Sequence, residues 1–479
     1  MRLLLRASTI SRPLVFCLAL LGLPTPVHAA QEENLHQRLA REIFRELVEI
    51  DTSTSAGNMR VAAQAMKARL TAAGFRTSEA RVLGPSDRHG NLVARFEGAK
   101  SDGRPILLMA HLDVVDANEE GWSADPFLFV ERDGYFYGRG TRDNKAGAAI
   151  LVANLIRLKR QGFVPCRPLI LMLTADEESG GANGTDWLLR NHRDLIEADF
   201  SLDTDSGDGV FSNGERFIFA VQPSEKIYQS FQLAVFSNGG HSSLPVKDNA
   251  IYLLATGLER LAQFSFPVQL NEVTRAFFRR MAELETGQVA SDMRSIVGSS
   301  ADPEAASRLA QSPYFNALMR TTCVPTRLEG GHADNALPRV ARALVNCRML
   351  PDTTPDEIGA TLRRVIANDR VEVKAVVEAG AGGASPTSPL RSDIMDPIKR
   401  LVAIHFPEAT VIPAMDPGAT DGYHLRRAGI PTYGVSAFFD DKGDVRMHGK
   451  DERVGMQDFY DALGFWYDLI REISSCPEQ

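Results

Sequence analysis

The 479-residue chain is 44% hydrophobic and 24% charged, ordinary for globular domains, and long enough for two or three of them. A formal charge of −8 with no run of Lys or Arg argues against nucleic acid or an anionic membrane surface as a partner. Past the N-terminus no apolar stretch is long enough to cross a bilayer, so stable membrane insertion is not expected.

The first element reads as a leader. Arg2, Arg6 and Arg12 make a basic start, and Pro13 to Leu23 form an apolar run too short for a stable anchor. Val27-His28-Ala29 offers small or modest residues where a signal peptidase reads. Residues 1–29 are therefore expected to be a signal peptide, and the remainder to be periplasmic or secreted. Export permits disulfides among Cys166, Cys323, Cys347 and Cys476, and Cys323 could meet Cys347 between neighbouring strands. Reduced, buried cysteines fit equally well, and the absence of a CxxC pair disfavours a thiolate zinc site.

Glu33 to Phe75 carries apolar residues at helical spacing and ends at Gly74. Asn91 to Phe96, Pro105 to Ala110 and Leu169 to Leu173 read as strands, the last two apolar enough to be buried on both faces. The stripe in Ala146 to Gln161 suits a crossover helix, so the first part is α/β. From Ile227 the order changes to strand Ser230 to Phe236, helix Asn249 to Phe264, strands Val324 to Leu328 and Ala341 to Leu350, helix Thr354 to Asn368, and strand Val371 to Val377. That order predicts a small α+β sandwich inserted into the main domain, with Leu270 to Arg320 as a helix-prone insertion within it. Gly380 to Pro389 reads as the linker back to a final α/β segment, Pro397 to Ile473.

The polar residues of interest follow the apolar runs, where open α/β sheets collect ligands. His111-Leu112-Asp113 ends one strand, and Asp113 is close enough to hold the imidazole. Asp143, in Gly138-Arg139-Gly140-Thr141-Arg142-Asp143-Asn144, falls where it can cap the crossover helix or bridge two cations. Asp176-Glu177-Glu178 places three acids at a buried strand's end, costly unless something positive neutralises them. Asp203-Thr204-Asp205 supplies a further carboxylate, and Met447-His448-Gly449-Lys450-Asp451-Glu452-Arg453 a second histidine. Together these donors suit two oxygen- and nitrogen-liganded transition ions, with zinc the default.

In this order the blocks resemble the metallopeptidase family of carboxypeptidase G, carboxypeptidase S, aminoacylase, carnosinase-type dipeptidases and succinyl-diaminopimelate desuccinylase, over about Glu33 to Ile473. The resemblance implies a phosphorylase/hydrolase-like α/β catalytic domain (residues 30–222 and 381–479) with an inserted α+β lid of the dimerisation type (223–380), interrupted by a helical insertion (270–320). It implies two Zn2+, with Co2+ or Mn2+ as substitutes. His111, Asp143 and Asp205 would hold one ion and Asp143, Glu178 and His448 the other, with Asp203 an alternative to Asp205. Glu177 would be the general base, Asp113 the support of His111, and the peptide after Asp143 cis. In the lid, Gly239-Gly240-His241-Ser242-Ser243 resembles the motif whose histidine polarises the scissile carbonyl, often from the partner subunit. Gly330-Gly331-His332-Ala333-Asp334-Asn335 resembles the loop whose Asn holds substrate, and Arg348 an arginine that grips a carboxylate. Gly418-Ala419-Thr420-Asp421 resembles a substrate loop, with Gly418 and Thr420 as its contacts. The implied activity is hydrolysis of a peptide bond beside a free carboxylate, or of an N-acyl amino acid by the same groups, in a homodimer formed through the lid.

Overall fold

The computed structural model describes residues 26–99, 103–118, 120–212, 214–298, 301–376, 384–441 and 443–476. Most of the expected signal peptide, residues 1–25, and the first part of the expected linker lie outside the described residues.

The main sheet has ten strands, and four parallel ones form its centre: Leu169–Thr174, Ile106–His111, Phe200–Asp203 and Thr432–Gly434. Every residue of Leu169–Thr174 and Ile106–His111 is buried, because both faces are covered. Leu108, Ala110, Leu171 and Leu173 pack under the helices Pro26–Glu49, Lys145–Arg160 and Met456–Ser474. Their neighbours in the chain, Met109, Ile170 and Met172, face Leu188 and Leu425, on the short helices Gly184–Asn191 and Gly422–Arg427. The carboxyl ends of these strands point one way, and the candidate residues follow them.

One buried polar contact ties the first helix to the crossover helix: His36 Nε2 lies 3.0 Å from Asn154 Oδ1. Burial, helped by the charge of Arg157, pushes the His36 pKa down from 6.5 to about 4. Between those values the folded state binds fewer protons than the unfolded chain. Stability is therefore whole above pH 6.5 and should fall by about 3 kcal/mol as the pH drops through 4. Urea denaturation at stepped pH checks this, and His36→Leu should flatten that part of the profile.

The chain leaves the main sheet after strand Glu215–Glu225 and enters a four-stranded antiparallel sheet at Ile227. Its order is Thr322–Gly330, Val340–Met349, Ile227–Phe236, Val371–Ala375. Strand Val340–Met349 alternates strictly, burying Ala341, Ala343, Val345, Cys347 and Met349 under the helices Ala250–Gln263 and Pro355–Ile366. Arg348 therefore faces the opposite way, beside its register partner Tyr228.

The helical segment Glu272–Met319 packs on the main sheet rather than on this smaller one. Phe277, Phe278, Met281 and Met293 meet Ile218 and Ala220 of Glu215–Glu225 and Ile412 and Met415 of Thr410–Asp416. Those two strands lie toward one side of the main sheet, and the helices remove their apolar side chains from water.

All four cysteines of the expected mature chain are bridged. Cys323 joins Cys347 across two paired strands, and Cys166 joins Cys476, 310 residues away. The alternative of reduced, buried thiols does not hold.

Candidate metal centre

His111 ends its strand with Nδ1 donating to the main-chain carbonyl of Asp113, 2.9 Å away. That bond fixes the ring and leaves Nε2 facing two carboxylates, 2.8 Å from Asp143 Oδ1 and 3.2 Å from Asp205 Oδ1. Burial favours a neutral ring, but Asp205 and Asp143 outweigh it and hold the His111 pKa well above its usual value. On the other side of Asp143, His448 Nε2 lies 3.1 Å from Oδ2 and 3.0 Å from Glu178 Oε1. Hydrogen bonds to Asp143 and then Glu178 raise its pKa to about 10. Two groups of three donors result, His111, Asp143 and Asp205, and Asp143, Glu178 and His448, with the donor atoms of each within 4.8 Å of one another.

Asp143 is thus shared. Its carboxylate caps no helix, since Asn144 is the first capping residue of Lys145–Arg160 and makes no side-chain cap bond. Burial alone would raise the Asp143 pKa, but the two imidazoles win and hold it well below the carboxylate range. The Asp143-Asn144 peptide is cis. Asn144 then donates to Asp205 Oδ1 at 2.9 Å and accepts from Thr204 Oγ1 at 2.9 Å. Gly147 permits this closeness, because a Cβ there would lie 2.2 Å from Thr204 Oγ1. Asp205 rather than Asp203 joins the cluster; Asp203 Oδ1 instead accepts the Asp205 N–H at 3.0 Å.

Asp113 supports His111 in a way the sequence did not suggest. Its carboxylate stands 3.8 Å from Nδ1 and accepts the backbone N–H groups of Glu177 and Glu178 at 3.1 and 3.0 Å. The main-chain carbonyl takes the imidazole, and the carboxylate fixes the turn that presents both glutamates. Asp176 closes that turn by accepting from Ser179 and the Ala182 N–H. Asp176 and His448 sit at φ +64° and +61°, sparsely populated for non-glycine residues, each beside the cluster.

Glu177 belongs to neither group of three. Burial, then the charge of Asp205, push its pKa well above the ordinary carboxylate range. It lines a cavity of about 600 Å³, walled from the main domain by Glu177, Glu178, Thr420 and His424 and from the small sheet by Tyr228 and Arg348. The Arg348 guanidinium lies 4.8 Å from the Tyr228 ring centre, and burial lowers its pKa.

The sequence of residues 107–472 matches the description Peptidase family M20/M25/M40. The chain belongs to that family. It is accordingly a metal-dependent hydrolase of peptide or N-acyl amide bonds. It is 29% identical over 397 residues to the human N-fatty-acyl-amino acid synthase/hydrolase PM20D1, covering 80% of this chain and 77% of that protein. To the probable carboxypeptidase S-like 2 of Dictyostelium discoideum it is 29% identical over 392 residues, 80% of this chain and 74% of that one. In fold it is similar to the M20 family metallo-carboxypeptidase Sso-CP2 of Sulfolobus solfataricus, with TM-score 0.68 and 16% identity over 91% of this chain and 99% of that one.

Other residues singled out for this M20 chain lie apart from the cluster. His241 and Asn335 are exposed at the two-stranded ribbon Gly240–His241 and Ala336–Leu337, where the Asn335 carbonyl accepts the Ser242 N–H at 3.0 Å. His241 Nδ1 pairs with Ser243 Oγ at 2.7 Å, and neither residue lines the cavity. Gly418 does not line it either; its N–H goes to Asp416 Oδ1 at 2.6 Å. Thr420 does, but its hydroxyl is committed to Glu225 at 2.8 Å. Asp421 is held by Thr174, Asn183 and Thr185 at 2.6 to 2.8 Å. Tyr228, His424 and Asn144 were not singled out from sequence. Asn144 is signalled only by its place after Asp143, and Tyr228 only by a register that a single strand does not reveal.

Proposed function

We propose that this chain is an exported exopeptidase that uses two zinc ions to cut a peptide bond beside a free carboxylate. The observation that carries the proposal is the pair of three-donor groups sharing Asp143, with Glu177 and Arg348 lining the same cavity as Glu178. The donors suit the ions: three carboxylates and two imidazoles converge, with Asp205 held well above its usual pKa by burial and then Asp143, an arrangement that a divalent cation relieves. His111, Asp143 and Asp205 would hold one ion and Asp143, Glu178 and His448 the other, with Co2+ or Mn2+ as functional substitutes. When bound, such a pair polarises a carbonyl and acidifies water.

Glu177 takes the proton of the attacking water and returns it to the leaving amine. Arg348 orients the substrate by pairing with its carboxylate, through a guanidinium fork that a lysine does not reproduce. Arg348→Met is expected to raise KM by about 10-fold or more while changing kcat far less. Steady-state kinetics on a dipeptide and its C-terminal amide check this, the amide being poor for wild type and indifferent to the substitution.

His241 and Asn335 are supplied to the cavity of a second subunit. Supporting this, both are exposed, and the edge strand Thr322–Gly330 beside them presents Val324 and Leu328, 57% and 69% exposed. The main domain of residues 30–222 and 381–479, with the helices of Glu272–Met319 packed on its sheet, would then close against the rest of residues 223–380.

A second reading, an N-acyl amino acid hydrolase with the same groups, is favoured by the likeness to the N-fatty-acyl-amino acid enzyme. Release assays on dipeptides, N-acetyl amino acids and N-fatty-acyl amino acids, with and without chelator, separate the two. Preference for the acyl substrates sinks the peptidase assignment, and activity that survives thorough chelation sinks both.

A further inference from the structure

Glu452 belongs to the motif that carries His448, yet the proposed chemistry gives it no role. It is 1% exposed, and its carboxylate is saturated by groups from a different part of the chain. Oε1 accepts the backbone N–H of Arg142 at 2.8 Å and of Asp143 at 3.1 Å. Oε2 accepts the Gly140 N–H at 3.1 Å and the Arg139 guanidinium at 2.6 Å. Arg139, 3% exposed, also donates to the main-chain carbonyl of His448 at 3.4 Å and lies over the Trp122 ring, 5.0 Å from its centre. One carboxylate therefore grips the backbone of the turn that carries Asp143, and its arginine reaches the backbone of the histidine that meets Asp143 from the other side.

We infer that Glu452, through Arg139, is a positioning residue for the metal centre: it sets where Asp143 and His448 stand relative to each other. The inference rests on the two-ion reading of the site. The geometry is specific to a carboxylate. Glutamine has the same shape but offers one acceptor oxygen and turns an NH2 group toward donors already in place, leaving buried N–H groups without a partner. The displaced backbone is that of Asp143 itself, so the change is felt at the shared ligand, whereas loss of the Arg139 contact is felt at His448.

The test is metal affinity, measured by competition with a chromophoric chelator on metal-stripped protein supplied with Zn2+. Wild type is expected to take up two equivalents. Glu452→Gln should bind at least one of them about 10-fold to 100-fold more weakly, the range for changes behind a metal ligand. Its kcat should recover as Zn2+ is raised, with KM for a dipeptide little changed; a merely structural role would lower thermal stability without making activity depend on added zinc. Should Glu452→Gln not fold, Arg139→Lys keeps the charge but loses the fork, and is expected to weaken only the position of Asp143, Glu178 and His448. Wild-type zinc affinity in folded Glu452→Gln, or in Arg139→Lys if the first variant does not fold, overturns the inference alone. Failure of wild type to bind two equivalents overturns the two-ion reading and this inference with it.

Discussion

Glu177→Gln is expected to bind metal as wild type does and to turn over dipeptide about 10²- to 10⁴-fold more slowly. Loading should be untouched because Glu177 contributes to neither group of three donors, and its backbone N–H stays anchored on Asp113 at 3.1 Å. Turnover should collapse because the carboxylates nearest Glu177 are already engaged. Glu178 is engaged with His448, Asp205 with His111 and Asn144, and Asp421 with three donors. A raised pKa gives Glu177 the affinity for a proton that a shuttle between water and amine requires, and the amide of glutamine has none. Metal content by mass spectrometry beside kcat separates the effects. Full activity in Glu177→Gln removes the base, and loss of metal makes Glu177 a ligand instead.

Much of this arrangement was legible because buried parallel strands announce themselves. Ile106–His111 and Leu169–Thr174 are apolar without alternation, so the first polar residues after them had to lie at the carboxyl edge of a sheet. His111 and the Glu177-Glu178 pair follow from that, whereas the place of Asp143 before the crossover helix suited a cap as well as a bridge, and only the order of the blocks pointed to the bridge. What stayed hidden depends on relations between distant segments. The run Asp203-Thr204-Asp205 favours Asp205 without deciding which carboxylate joins the cluster, and Asn144 fixes Asp205 there by donating to it. Nothing in His111-Leu112-Asp113 says that the carbonyl holds the ring while the carboxylate holds another loop. The Cys166–Cys476 bridge spans 310 residues and has no local signature. The helices of Glu272–Met319 interrupt the small sheet in sequence yet cover the large one, because their apolar faces match strands that return only at Thr410–Asp416. Glu452 was visible as a residue, but its four donors come from a turn some 310 positions earlier.

Asp143→Ala is expected to do more damage than any other single ligand change, because both histidines turn on it. His111 Nε2 is 2.8 Å from one of its oxygens and His448 Nε2 3.1 Å from the other, so in the proposed two-ion site each ion would lose a donor at once. Bound zinc should fall from two equivalents to fewer than one, with kcat down by at least the margin expected for Glu177→Gln. Asp143→Asn separates charge from volume: its single carbonyl oxygen serves one ion, so about one equivalent should remain. Protons give an independent check. In the metal-free protein the carboxylates hold His111 well above its usual pKa and His448 at about 10, so at pH 7 both rings carry a proton that an incoming ion must displace. Zinc uptake should therefore release protons and weaken as the pH falls. In Asp143→Ala, His448 loses the first cause of its raised pKa, and the release per ion should shrink. Calorimetry in buffers of different ionisation enthalpy measures that release. If it is the same in wild type and Asp143→Ala, Asp143 does not bridge the two histidines in solution.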